Sequence, residues 1–505
     1  MNNRKWWPLI TVCLGTFMLL IDVTIVNVAL PPMATDLRTS FGTLQWVVDG
    51  YALSLGVLLL GAGALSDMYG HRRFYLGGLL VFAVASLACG LAADPALLVA
   101  ARVVQGAGAA AMFTTTFALL NSSYEGRDRG VAYGVWGGVS GAATAIGPIL
   151  GGLLTEGFSW RWIFLVNLPI CVAAVVLCLT VLRPDGPRRP GRFDLWGTVT
   201  FTIAAGTATY AVIRANDEGW SSPRTWGLFL VAAVALAAFA WIEARNPYAM
   251  FDLALLRNRS FTGILIAGLL VNFAAFAAFT YTSIWLQSVI GLSPLQAGLT
   301  GLPVSFCSVL ASGIAGARLH GRSPRLIIGG GMLLIGLGSL LSGLLLTATS
   351  SWPALMAGYA VVGLGVGLVM PALASSAMGA VPHRRGGMAA GSLTTARQLG
   401  YAIGVAVLGT VFASRAADHL GGDTAAAHAV AGGQAGRLHL PSAVVHTAAA
   451  AGLDAGFLIG GVVGLVGALA VFALVRPAAP ASGMDPDQPS EGRPGFTESP
   501  YARRT

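Results

Sequence analysis

Charge is scarce in this sequence. Only 10% of its 505 residues are Asp, Glu, Lys or Arg, while 55% are hydrophobic. A soluble domain carries about a quarter charged residues, so this chain cannot clothe a water-facing surface. Acids are the rarest charges, 21 against 30 Lys and Arg. Cysteine is limited to Cys13, Cys89, Cys171, Cys178 and Cys307. Each falls inside an apolar run, so neither a disulfide framework nor a CxxC zinc pattern exists. Cys171 and Cys178 share a helix face by spacing and are read as packing. All seven histidines (His71, His320, His383, His419, His428, His439 and His446) fall between runs. That placement disfavours a histidine proton relay or an intramembrane metal site. No P-loop or kinase signature occurs, so this chain does not draw on ATP. These shortages exclude a soluble enzyme, a secreted disulfide scaffold and a disordered chain.

What the chain has in quantity is apolar length and glycine. Mean hydropathy is +0.73, and glycine numbers 67 without a collagen period. A spanning helix needs about 20 apolar residues. Fourteen such runs centre near 9–30, 45–65, 74–93, 96–120, 131–154, 162–182, 194–213, 226–243, 261–289, 295–317, 325–347, 353–378, 392–414 and 455–475. The first run could imitate a signal peptide, but it continues through Asp22 to Pro31 and is read as an uncleaved helix. The net charge of +9 does not point to nucleic acid, because the basic residues sit between runs instead of forming one face. With the N-terminus inside, 22 of the 30 Lys and Arg fall on the inner side and six on the outer. Arg102 and Arg397 lie within runs. This split obeys the positive-inside rule and predicts an even number of spans with both termini cytoplasmic. The expected organisation is a six-helix bundle over 1–183, a linker with two inserted helices over 184–250, and a second six-helix bundle over 251–477. An Ala/Gly/His-rich outer loop is expected at 416–452, and a disordered tail at 478–505.

Ionisable groups within a membrane are costly and mark function by default. Asp22 and Asp49 are the acids clearly inside runs, and Arg102 joins them. At about 1.5 Å per residue, Asp22 lies about 20 Å from the inner end of its run. Asp49 and Arg102 lie about 8 and 9 Å from the outer ends of theirs. All three reach one level in the outer half of a core about 30 Å thick. Two carboxylates and a guanidinium at one depth suit a binding and proton site, with Gln105 on the Arg102 face at i+3. Asp49, so close to the boundary, could also be solvated there. Arg397, near the inner end of its run, is explained by snorkelling. Aromatics Phe273, Phe276, Phe279, Tyr281 and Trp285 could offer cation–π contacts, although packing is the commoner role at helical spacing. Glycines crowd the fifth run through Gly147, Pro148, Gly151 and Gly152, a spacing that lets helices approach closely. The segment Gly63-x-Leu65-x-Asp67-x-x-Gly70-x-Arg72-Arg73 predicts a charge clamp between helix ends.

These motifs carry a resemblance. The loop segment just quoted, Leu98-x-x-x-Arg102-x-x-Gln105-Gly106-x-Gly108, Gly147-Pro148-x-x-Gly151-Gly152 and Asp22-x-Thr24-Ile-Val-Asn27-Val-Ala-Leu-Pro31 resemble the signatures of the major facilitator superfamily. They are closest to its fourteen-helix drug:proton antiporter branch. Trp46-Val-Val-Asp49-x-Tyr51 resembles exporters of quaternary ammonium and other lipophilic cations. The resemblance implies an all-α polytopic fold of two six-helix bundles plus two inserted helices in the plasma membrane. It implies a monomer among lipids, exporting a lipophilic cationic drug, with protons as counter-substrate and no cofactor, metal or nucleic acid. Proton coupling would fall to Asp22, Asp49 and Arg102. Substrate contacts would fall to Asp22, Asp49, Asn27, Gln105, Asn272, Phe276 and Tyr281. Conformational switching would fall to Gly63, Asp67, Gly70, Arg72, Arg73, Gly147, Pro148, Gly151 and Gly152. Ala143 stands where the span-five signature has its upstream glycine, and no acid lies in the middle of the ninth to thirteenth runs. A dedicated exporter of one endogenous metabolite or antibiotic, and a non-transporting sensor, are the alternatives.

Overall fold

The computed structural model describes residues 3–39, 41–185, 194–247, 249–318, 322–381, 386–438 and 440–476. Every described element is a helix. Within lipid each backbone polar group must be satisfied inside the chain, which a helix alone achieves locally. The first group of helices is α1 (Trp7–Asp36), α2 (Phe41–Tyr69), α3 (His71–Gly90), α4 (Pro95–Ser123), α5 (Gly126–Gly157), α6 (Trp162–Leu165) and α7 (Asn167–Val181). An intervening pair follows, α8 (Leu195–Glu218) and α9 (Pro223–Glu243). The second group is α10 (Arg259–Ser288), α11 (Pro294–Leu299), α12 (Leu302–Arg318), α13 (Pro324–Leu345), α14 (Met356–Gly379), α15 (Gly386–His419), α16 (Thr424–Ala431) and α17 (Ser442–Leu474).

Among the described residues, 11 helical segments are long and apolar enough to cross a membrane. The helices α2, α5 and α8, of 29, 32 and 24 residues, occupy the places of the remaining apolar runs. Starts are marked as the sequence chemistry dictates. Asp94 accepts from the Leu97 N–H at 2.9 Å ahead of Pro95, and Asn258 accepts from Ser260 and Phe261. Ser293 and Gln296 form a reciprocal capping box at α11. Each satisfies backbone donors that a helix start leaves open. Large apolar side chains face outward, among them Leu344 at 76%, Val84 at 67% and Leu469 at 67% exposure. Such a belt suits lipid and not water.

The first group packs mainly on itself through α1·α5, α2·α4 and α3·α4, and the second through α10·α15, α13·α14 and α13·α17. The two meet along α2·α15, α5·α11, α5·α12 and α1·α10, while α8 lies against both α2 and α15. On the side opposite the chain's start, these seams are tight. Gly152 lies so close to Leu295 that a Cβ there would overlap backbone, and Gly298 does the same against the Pro148 carbonyl. Gly147 and Gly151 turn the other way and seat α5 on Thr24 and Ile25 of α1. Gly152→Ala is expected to cost the closed seam about 1–3 kcal/mol by overpacking. Labelling of a reporter Ala297→Cys, buried in the closed seam, by an impermeant reagent from outside should then run about fivefold faster or more. Unchanged labelling would show that this contact does not hold the seam shut.

The stretch 416–452 is corrected by the structure. It is not an open loop: α15 runs to His419, α16 follows, and α17 starts at Ser442. Alanine explains this, being the best helix former. Ala427, Val430 and Ala431 are fully buried. The Gln434 amide donates to the Thr39 carbonyl at 2.5 Å, while Gly433 lies near Pro31 and Ile284. The segment caps the closed side across both groups of helices. The tail at 478–505 lies outside the described residues.

Candidate functional site

Asp22, Arg102 and Gln105 meet in the interior of the first group, every one buried. Arg102 Nη1 donates to Asp22 Oδ2 at 2.6 Å and to Gln105 Oε1 at 2.8 Å. Gln105 Nε2 and Asn167 Nδ2 donate to Asp22 Oδ1 at 2.9 and 3.0 Å. Arg102 Nε donates to the Val47 carbonyl at 2.9 Å, and its guanidinium lies 4.2 Å from the Tyr51 ring centroid. The pair is therefore solvated by protein donors on all sides, the arrangement that makes a buried ion pair tolerable. Asn167, the first residue of α7, completes this cluster.

Asp49 sits two residues beyond Val47 on α2 but faces a different neighbour. It is fully buried, so the solvated reading at the boundary is corrected. Neither carboxyl oxygen has a hydrogen-bond partner. One turn earlier on the same face, Gln45 donates to the Tyr281 hydroxyl at 3.1 Å. Tyr281 in turn donates to the Val405 carbonyl at 2.6 Å. Asp49 thus lies in the seam where α2 meets α10 and α15.

A cavity lies between the two groups of helices, enclosing about 1340 Å³ of space with its solvent-open part included. Its apolar wall includes Leu20, Val23, Leu55, Phe113, Phe276 and Phe279, and its polar wall includes Asn27, Asn272, Arg397, Gln398 and Tyr401. Of the expected substrate residues, Asn27, Asn272 and Phe276 line it. Asp22, Asp49, Gln105 and Tyr281 lie off its wall. The reason is partner choice: Asp22 is committed to Arg102 and Asn167, while Asp49 and Tyr281 turn into the seam. Tyr51 reaches both places, its ring stacked on Arg102 and also lining the cavity. Asn27 ties the groups together, accepting from Thr280 at 3.2 Å and Tyr401 at 3.3 Å.

Around the loop motif a further acid takes part. Asp185 accepts the Arg72 and Arg73 N–H groups at 3.0 and 2.9 Å, placing a carboxylate on the α3 N-terminus. Arg72 Nε and Nη2 donate to the Cys178 and Leu179 carbonyls at the end of α7, at 3.0 and 2.7 Å. Gly70 has φ +99°, and a Cβ there would overlap the Asp185 carboxyl, so only glycine fits. Gly63 has open space around it. The Asp67 side chain lies outside the described residues. Asp185 was hidden in a stretch that reads as a basic linker.

The family model of the major facilitator superfamily matches residues 12–405. The chain belongs to that superfamily. This transporter is a multi-pass cell-membrane protein. It is 38% identical over 415 residues to the multidrug resistance protein Stp of Mycobacterium tuberculosis (strain CDC 1551 / Oshkosh), covering 82% of this chain and 77% of the relative. It is 32% identical over 517 residues to the tetracenomycin C resistance and export protein of Streptomyces glaucescens, covering 95% and 93%. The puromycin resistance protein of Streptomyces alboniger is 34% identical over 424 residues, covering 83% and 84%. Among solved structures, a bacterial homolog of the human lysosomal transporter Spinster, in an inward-facing and unoccupied conformation, matches with TM-score 0.64 at 14% identity. That match covers 94% of this chain and 98% of the other, and it shows the shared fold.

Proposed function

We propose that this transporter exports lipophilic drug-like molecules by alternating access, with protons entering in exchange. The observation that carries the proposal is the amphiphilic cavity between two groups of helices, shut on one side by the Gly152–Leu295 and Pro148–Gly298 contacts. Basic residues place the closed side outside, so the cavity belongs to a state loaded from the cytoplasm or inner leaflet. The relatives named for drug resistance and export support the direction of transport.

Proton coupling falls to Asp49 in this reading. An ionised carboxylate without a donor or counter-ion would be very costly where it sits, so the outer seam shuts only once Asp49 has taken a proton from outside. Parting of α2 from α10 and α15 would expose it to outside water for that uptake. Net proton entry then requires that Asp49 release the proton to the cytoplasmic side by way of the cavity as substrate loads, before the seam parts again. Asp22 and Arg102 form a fixed pair that braces α1 against α4, and Tyr51 links that pair to the cavity. The cation preference expected from the two acids is not carried forward, since no carboxylate lines the cavity among the described residues.

The test uses everted vesicles with an interior-acid gradient. Adding neutral, cationic and anionic aromatic compounds in turn should release protons for at least one class. Substrate movement without proton release from any compound would end the antiport reading. No movement of any compound by folded protein would end the exporter reading in favour of a sensor.

A further inference from the structure

Among the described residues, a cation of the second group faces the cavity without a partner. Arg397 lines the cavity, its Nε is buried without a hydrogen bond, and no ion pair reaches it among the described residues. Its side chain turns to the cavity wall. The helix α15 begins at Gly386, so Arg397 lies eleven residues inside, about 16 Å along the axis. Its stem packs on Gly268 of α10, with Cγ 3.4 Å from where a Cβ would stand. Next to it on α15 is Gln398, and one turn on is Tyr401, both on the same wall. Asn272 is one turn beyond Gly268 on α10, and its Oδ1 is also buried without a partner. Among the described residues the only formal charge on the wall is therefore positive, because Asp22 is spent on Arg102 and Asp49 faces the seam.

An unpaired guanidinium at this depth is expensive and is retained where something else supplies the negative charge. Its planar fork suits a two-oxygen anion. The same cavity is lined by Phe276, Phe279, Leu20 and Val23, which suit rings. We propose that Arg397 receives the ionised carboxylate of a lipophilic ring-bearing substrate whose apolar body rests on the apolar lining of the same cavity. This rests on the exporter reading and reverses the charge class expected for its substrate.

The test is binding to the full-length protein in phosphatidylcholine nanodiscs. The probes are anthracene-9-carboxylate, its methyl ester and 9-(aminomethyl)anthracene. The wild type should prefer carboxylate to ester by about tenfold or more, as a charge-assisted hydrogen bond allows, with the ammonium weakest. In Arg397→Gln the carboxylate-to-ester ratio should fall to about one, and Arg397→Lys should keep part of it. An ammonium-first order in the wild type overturns the proposal without any variant, as does an unchanged ratio in folded Arg397→Gln. A second arm adds phosphatidylglycerol. Loss of the carboxylate preference there, with wild type but not Arg397→Gln retaining that lipid, would assign the charge to a headgroup and overturn the substrate role. Proteoliposome flux separates the two readings. Binding in the expected order without flux fails the exporter reading alone. Flux of the ester without carboxylate preference fails the Arg397 site alone.

Discussion

Replacing Arg102 by alanine is expected to lower the protein's resistance to unfolding by about 3–5 kcal/mol, the cost of stranding one member of a buried ion pair, and to abolish export. The lost contacts are specific: the 2.6 Å bond to Asp22, the 2.8 Å bond to Gln105 and the 2.9 Å bond to the Val47 carbonyl. Asp22 would keep donors from Gln105 and Asn167 but lose its only countercharge. A thermal-shift assay on detergent-purified protein measures the stability, and vesicle efflux measures the function. The paired variant Asp22→Asn/Arg102→Gln separates them. It removes both charges at similar volume, so it should recover most of the thermal stability while export stays absent, because Tyr51 loses the guanidinium it stacks on. Full export by the double variant would reduce the pair to a structural brace. Equal instability in the single and double variants would show that the charge imbalance is not what the alanine substitution costs.

Much of this architecture was legible in the sequence because apolar length and intramembrane charge leave few readings. Depth arithmetic brought Asp22 and Arg102 to one level, and they are in contact. Depth does not say which neighbour a side chain faces. Asp49 shares the level but points into the α2 seam, and no pattern within α2 shows that α10 and α15 lie there. Arg397 poses a different problem. Hydropathy starts its run near 392 and the apolar span does begin at Gly391, but hydropathy does not show that the side chain turns to a cavity wall. The usable signal was the absence of any acid across the ninth to thirteenth runs. Asp185 and the 416–452 cap were lost to composition: Pro and Arg around the first read as linker, and Ala, Gly and His in the second read as loop.

Asp49→Asn is expected to uncouple transport while leaving the carrier able to move its substrate. The substitution keeps shape and volume but removes the proton-bearing group, and neither Asp49 oxygen makes a hydrogen bond that would be lost. Closure of the seam therefore no longer requires a proton, and return to the inward-facing state proceeds at any outside pH. Two measurements follow. Counterflow, the exchange of labelled for unlabelled substrate without a gradient, should persist near the wild-type rate. Accumulation driven by an imposed pH gradient should disappear, against about tenfold per pH unit for each coupled proton in the wild type, since one unit is worth about 1.4 kcal/mol. The location of the acid sets this apart from a binding defect. Asp49 is off the cavity wall, so affinity in detergent should not change, whereas an acid that touches substrate would alter affinity and counterflow together. Normal pH-driven accumulation by Asp49→Asn would remove Asp49 from coupling and leave Asp22 as the acid to test, with Arg102 moving off it as the step that frees its proton site.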